Sequence, residues 1–267
     1  MQSSENKMAL SLHFRKYGDG TPLLVLHGLF GLADNWQTFA KQMAESGFAV
    51  YALDLRNHGS SPHTDEFNYS LMASDIKHFM QEQQLKSASV LGHSMGGKTA
   101  MQFALSYPDM TDKLIVVDIA PRYYPPHHQT IFKALNAVDL DTVNTRSEAD
   151  KILAGYIDDL GTRQFLLKNL YWKGDKLQWR FNLYSLNNHI ESVGEEIDAD
   201  SNADMPTLFI KGEKSNYIQQ NDYQDILRLF PHATFATAPS AGHWVHADNP
   251  QWIFETVKNF LQNTNSG

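Results

Sequence analysis

Gly92-His93-Ser94-Met95-Gly96 has the form G-x-S-x-G between an apolar run, Ser87 to Leu91, and a small-residue run, Gly97 to Leu105. A serine on a sharp strand-to-helix turn is presented as a nucleophile, provided that the residues two before and two after it have almost no side chain. Gly92 and Gly96 meet that need. A serine hydroxyl needs a base to take its proton, and His243, in Ser240-Ala241-Gly242-His243, follows the last strand-like run. It lies 243 − 94 = 149 residues beyond Ser94, so only the fold unites them. An anionic transition state also needs donors. The amide of Leu29, in His27-Gly28-Leu29-Phe30-Gly31, is one candidate, and the amide of Met95, at a helix N-terminus, is the other. Each such donor is worth about 3 kcal/mol to an oxyanion.

The acid that would hold the histidine has two candidates. Gly212-Glu213-Lys214-Ser215-Asn216 follows the last strand-like run but one, where the pattern G-x-x-D is usual, yet Ser215 stands in the aspartate's place. Asp118, in Val116-Val117-Asp118-Ile119-Ala120-Pro121, ends an earlier run beside the serine. Asp118 is the first choice, with a loop cap as its structural alternative, and Glu213 is the second. Asp54-Leu55-Arg56-Asn57-His58-Gly59-Ser60-Ser61 reads as a brace beside the site, with Asp54 and Arg56 paired to backbone or to each other. Phe30, Trp172, Trp179 and Phe181 are the candidate substrate wall, with Tyr171 and Tyr184 beside them, although such a stripe also packs as core. His246 keeps a packing role, with substrate contact as its alternative, and Arg122, Lys98 and Arg180 read as solvated or paired cations, with an acidic substrate tail as the alternative partner. His58, His63, His127 and His128 lack metal-ligand spacing, so no metal and no other cofactor is expected.

The elements that must position these groups follow from periodicity. Ala9 to Lys16 alternates like a half-buried edge strand, whereas Pro22 to Leu26 and Ala49 to Leu53 are apolar on both faces, as mid-sheet strands are. Between them Trp36, Phe39, Ala40 and Met43 recur at helical spacing, started by Asp34 or Asn35 and ended by Gly47. The alternation continues with a helix over 69–83, a strand over 87–91, a helix over 95–106 and a strand over 113–117, which predicts a mostly parallel, doubly wound α/β sheet. From 121 to 203 helical segments, Ser147 to Ile157 and Arg163 to Trp172, follow one another without a buried strand. They predict a helical lid, 121–203, inserted in a core made of 1–120 and 204–267. Strands resume at Thr207 to Ile210 and Thr234 to Thr237, and Asn249-Pro250 starts a last helix.

Composition narrows the partners. The 267 residues have a net charge of −8 and no basic cluster, which argues against nucleic acid and anionic membrane surfaces and for a small molecule. No cysteine is present, which excludes disulfides and thiolate chemistry. Met1 to Lys7 is polar, without the apolar centre of a signal peptide, so a cytoplasmic protein is expected. The oligomeric state is left open.

With His27 to Gly31, Asp54 to His63, Gly92 to Lys98, Val117 to Pro121 and Gly242-His243-Trp244 in register, the chain resembles the YbfF esterases, which are α/β-hydrolases. The order of serine before histidine agrees with that fold rather than with chymotrypsin or subtilisin. The resemblance runs from about residue 9 to 261, is loose in the lid, and rests most on Arg56-Asn57-His58-Gly59-Ser60-Ser61-Pro62-His63. It implies hydrolysis of short to medium acyl esters, with acyl-CoA thioesters as a further class, by Ser94, His243 and Asp118. The serine at the elbow argues against dehalogenase and epoxide hydrolase chemistry. Carbon–carbon bond cleavage on the same three residues, and a non-catalytic ligand-binding role, are the alternatives.

Overall fold

The computed structural model describes residues 9–263, so Met1 to Lys7 and the outer ends of the two expected core segments lie outside the described residues. The first half of the chain runs β1 (Phe14–Tyr17), β2 (Thr21–Leu26), α1 (Gln37–Glu45), β3 (Phe48–Leu53), α2 (Tyr69–Glu82), β4 (Ala88–His93), α3 (Met95–Ser106) and β5 (Thr111–Val117). Then come α4 (Gln129–Ala137), α5 (Arg146–Ala154), α6 (Leu160–Leu167), β6 (Leu170–Lys173), β7 (Lys176–Trp179), α7 (Leu183–Asn188) and α8 (Ile190–Gly194). The chain closes with β8 (Thr207–Gly212), α9 (Tyr223–Leu229), β9 (Ala233–Ala238), α10 (Val245–Asp248) and α11 (Pro250–Gln262).

Seven strands form one sheet in the order β1-β3-β2-β4-β5-β8-β9. All neighbours are parallel except β1, which pairs antiparallel with β3 at the edge. Alternate residues face opposite sides. Leu23 and Val25 join Phe39, Met43, Ile253 and Val257 under α1 and α11. Leu24 and Leu26 join Ile76, Phe79, Met101 and Phe103 under α2 and α3. Covering both faces is what buries β3 and β4 along their whole length and makes β3 apolar throughout. The register pairs Leu26 with Gly92, His93 with Val117, Val117 with Ile210 and Gly212 with Ala238. The carboxyl ends of the six parallel strands therefore finish along one edge, where ligands bind in open parallel sheets.

Three local readings differ from the structure. The alternating run from Ala9 becomes strand only at Phe14, because the amides of Leu10 and His13 are taken by the Asp75 carboxylate (2.8 Å) and the Ser61 hydroxyl (2.8 Å) instead of a partner strand. Neither Asp34 nor Asn35 caps α1. Asn35 accepts from the Leu32 amide at 2.6 Å and a 3-10 turn, Ala33–Trp36, leads into the helix. The helix expected to reach Trp172 stops at Leu167, and the chain turns into the β6–β7 hairpin. Gly174, at φ +65°, and Asp175 make its two-residue turn, and aromatic residues at 171, 172 and 179 suit strands better than helices. The stretch 121–203 contributes no strand to the seven-stranded sheet. Among the described residues no helix is long and apolar enough to cross a membrane.

Candidate active site

Ser94 sits between β4 and α3 at φ +53°, ψ −120°, a backbone conformation that non-glycine residues rarely adopt. Close packing around the turn enforces it. A Cβ on Gly92 would run into the Gly96 carbonyl, and one on Gly96 would run into the carbonyls of Leu26 and His27. The Ser94 amide donates to the Val117 carbonyl at 3.0 Å, which ties the turn to the neighbouring strand end.

The structure brings Ser94, His243 and Asp118 together. Ser94 Oγ is 3.0 Å from His243 Nε2, and His243 Nδ1 is 2.8 Å from Asp118 Oδ2. Asp118 is fully buried, and its carboxylate is further held by the Gly212 amide on Oδ1 (2.9 Å) and the Ser215 hydroxyl on Oδ2 (2.5 Å). Glu213 is not part of this group. Its carboxylate is exposed and accepts from the Ser240 amide at 2.7 Å, bracing the loop that carries His243. The imidazole of His243 is stacked on the Tyr217 ring with centroids 3.9 Å apart. Its carbonyl is 2.8 Å from His93 Nε2, and burial pushes the titration of His93 well below the usual range, so His93 is a neutral donor there.

The loop after β2 is held open by two more neutral histidines. His27 Nδ1 meets the Gly28 carbonyl at 2.8 Å while its Nε2 accepts from the Leu55 amide at 3.0 Å. His58 Nδ1 meets the Arg56 carbonyl at 2.9 Å while its Nε2 accepts from the Phe30 amide at 3.2 Å. Both patterns require the proton on Nδ1, and burial lowers the titration of both rings. Asn169 donates to the Phe30 carbonyl at 2.8 Å. Phe30 is thereby fixed at φ +58° with both peptide groups occupied, and the neighbouring Leu29 amide has no acceptor among the described residues. Met95 is the first residue of α3, whose amide has no intrahelical acceptor.

The polar block after β3 braces these loops. Asp54 accepts from the amides of Ala33 (2.8 Å) and Ser60 (2.9 Å) and pairs with His13 (2.9 Å). Arg56 pairs in a buried, two-pronged contact with Asp75 (2.7 and 2.8 Å), not with Asp54. Asn57 bonds Asn182 and Ser185, joining the block to α7.

A cavity of about 220 Å³ opens over Ser94 and His243, walled by Phe30, Ile131, Phe165, Leu166 and Trp244. A second, of about 30 Å³, is bordered by Ser94 and Met95 and does not include His243 in its wall. Of the aromatic residues expected at the wall, only Phe30 reaches it. Trp172 is 54% exposed on the hairpin. Trp179 stacks on Phe181 (5.3 Å), which packs edge-on behind Phe30 (5.1 Å), so both support the wall from the far side. The hairpin in place of a helix carries these rings away from the site. Tyr171 lies under Arg180, and Tyr184 is exposed. Lys98 is buried, not solvated, and its ammonium donates to the carbonyls of Arg122, Gly194 and Glu195. Arg122 pairs with Asp222 at 2.9 Å. His246 lines the larger cavity and is stacked on Trp36, where burial pushes its titration down to about 4.

Sequence reasoning missed Tyr217, His127, His128, Phe165 and Trp244. Phe165 and Leu166 are consecutive on α6, and nothing in their spacing says that both reach the cavity. Trp244 adjoins His243 and was findable by that alone.

The profile of the alpha/beta hydrolase fold matches residues 21–151. Esterase YbfF of Escherichia coli (strain K12) is 37% identical over 246 residues, which cover 91% of this chain and 94% of the esterase. The sn-1-specific diacylglycerol lipase ABHD11 of Mus musculus is 40% identical over 253 residues, covering 91% of this chain and 82% of the lipase. A solved structure, a marine microorganism esterase, superposes with a TM-score of 0.92 at 42% identity, over 94% of this chain and all of that one (100%). The chain belongs to the α/β-hydrolase family and to its esterases, hydrolases that act on the ester bonds of small molecules.

Proposed function

We propose that the protein is a serine carboxylesterase with Ser94 as nucleophile, His243 as general base and Asp118 as the acid that orients it. The observation that carries the reading is the unbroken chain from Ser94 Oγ to His243 Nε2 (3.0 Å) and from His243 Nδ1 to Asp118 Oδ2 (2.8 Å) at the wall of an apolar cavity. His243 takes the Ser94 proton as Oγ bonds to the acyl carbon, and the carbonyl oxygen becomes an anion held by the Leu29 and Met95 amides. The buried Asp118 carboxylate stabilises the imidazolium without taking its proton. Collapse of the intermediate breaks the bond to the leaving oxygen, which receives the proton from His243. Water then enters beside His243, gives it a proton, attacks the acyl carbon and releases the acid with Ser94 restored. The same steps serve a thioester with sulfur as the leaving atom, and acyl thioesters are a second substrate class.

Residues 121–203 act as a lid inserted in a core of 1–120 and 204–267. This is supported by their place between β5 and β8 and by the contribution of Ile131, Phe165 and Leu166 to the cavity wall. A fluorophosphonate probe followed by mass analysis tests the whole reading: the adduct is expected on Ser94. Ser94→Ala should abolish it and lower kcat on aryl esters on the order of 10⁶-fold. Ester turnover that survives this substitution overturns the proposal.

A further inference from the structure

We infer that the two cavities meeting at Ser94 divide the substrate: the small one takes a short, uncharged acyl group, and the large one takes an apolar leaving alcohol. The inference rests on the nucleophile and base roles proposed above. Once Oγ has bonded to the acyl carbon, three substituents remain to be placed. The oxyanion goes to the amides of Leu29 and Met95. The leaving oxygen must lie within reach of His243 Nε2, because that nitrogen delivers the proton as the carbon–oxygen bond breaks. His243 lines the 220 Å³ cavity and not the 30 Å³ one, so the alcohol lies in the former. The acyl chain is left with the second cavity, which borders Ser94 and Met95 but not His243. His127, His128 and Tyr217 border both cavities, and the 2.6 Å contact of His127 Nε2 with the Tyr217 hydroxyl links the two sides of the partition. The opposite assignment would point the leaving oxygen away from its acid.

Size and charge then define the acyl group. The accessible space is about 30 Å³ against about 220 Å³ in the larger cavity, which confines the acyl group to a short chain. Its walls include Ile119, Ile190 and Val193. Its cation, Lys98, spends its three donors on three carbonyls, so it has none for a carboxylate on the acyl chain. The larger cavity is walled by Ile131, Phe165 and Trp244 and accepts an aromatic or branched alcohol.

Two ester series measured as kcat/KM on the intact chain test this, one varying the acyl group from acetyl to octanoyl on a naphthyl alcohol, the other varying the alcohol on acetate. The expected acyl optimum lies between acetyl and butyryl, with a fall of about 100-fold by octanoyl, and a naphthyl hemisuccinate should react at least about 100-fold more slowly than the butyrate. Ile190→Ala with Val193→Ala, both on the half-buried α8, should raise hexanoate turnover about 10-fold. Phe165→Ala should instead raise KM for naphthyl acetate and leave the acyl optimum in place. A wild-type profile that climbs toward octanoyl overturns the inference without any variant, as does Phe165→Ala moving the acyl optimum. Undiminished hydrolysis by Ser94→Ala overturns the catalytic reading, and this inference with it. Turnover that requires Ser94 but favours long acyl chains overturns only the division of the substrate.

Discussion

The Ser215 hydroxyl donates to Asp118 Oδ2 at 2.5 Å, on the same oxygen that meets His243 Nδ1 at 2.8 Å. Ser215 follows β8, where a G-x-x-D pattern would carry the acid, and Asp118 follows β5, the neighbouring strand in the sheet. A carboxylate at the end of β5 reaches the space that a side chain from β8 would fill, and the serine at 215 is short enough to leave that space open while donating into it. Tyr217, whose amide meets the Ser215 hydroxyl at 3.3 Å, then lays its ring on His243. One short loop after β8 therefore fixes both the carboxylate and the imidazole.

Asp118→Asn should lower kcat on the order of 10⁴-fold, because the amide no longer stabilises the imidazolium and favours the wrong tautomer. Ser215→Ala removes one charge-assisted hydrogen bond and should cost about 10-fold, with little change in KM. Glu213→Gln should stay within about 2-fold of wild type, since Glu213 contacts the Ser240 amide and not His243. Steady-state kinetics on one aryl ester compare all three. A larger loss for Glu213→Gln than for Asp118→Asn would move the acid to the later strand.

Gly96→Ala should destabilise the fold by about 2–3 kcal/mol, because the added methyl meets backbone carbonyls of Leu26 and His27 that cannot rotate away. Relief of the clash would shift the elbow, so kcat should fall together with stability. Thermal unfolding and kinetics on the same sample check both. An unchanged melting temperature would show that the turn relaxes freely.

Stability should fall as the pH drops from about 6.5 to about 4. His246, stacked on Trp36, is pushed by burial from 6.5 down to about 4. Between those values the unfolded chain binds a proton on this residue that the folded chain does not, so unfolding free energy rises with pH through the window. His58 and His93, both buried and both lowered, act in the same direction. The slope is about 1.4 kcal/mol per pH unit for each fully displaced proton. His246→Phe keeps a ring against Trp36 and removes one titration, so denaturant unfolding from pH 6 to pH 4.5 should lose about that much slope. An undiminished slope would remove His246 from the account.

The parts of this fold that can be read from the chain are those whose cause is local. Apolar runs such as Ala49 to Leu53 announce strands covered on both faces, and the spacing of Trp36, Phe39, Ala40 and Met43 announces one helix face. The proposed nucleophile is legible because the elbow's crowding demands glycine at 92 and 96. Parallel register does the rest, bringing the strand ends that carry His27, Ser94 and Asp118 to one edge. What escapes is side-chain packing between segments far apart. Whether Trp179 or Phe165 faces the cavity depends on how residues 121–203 lie over the sheet edge, and neither residue's own periodicity encodes that. The serine at 215 in place of an aspartate points to Asp118, but the bond that joins them across 97 positions is encoded in neither segment's periodicity.

Trp172 and Trp179 separate those two kinds of information in one experiment. Trp172 is 54% exposed on β6, touches neither cavity, and its replacement by alanine should leave kcat/KM within about 2-fold and stability within about 0.5 kcal/mol. Trp179 is 7% exposed and stacks on Phe181, which in turn supports Phe30 at the cavity wall. Trp179→Ala should cost about 3 kcal/mol from the lost contacts and the space left behind. Its kinetic effect should arrive through Phe30, as a rise in KM for bulky alcohols with kcat nearly kept, because the Ser94 to His243 contact is untouched. A KM increase for Trp172→Ala of the size seen for Trp179→Ala would mean that the hairpin folds over the cavity when substrate binds, and the wall would then include the exposed face of β6.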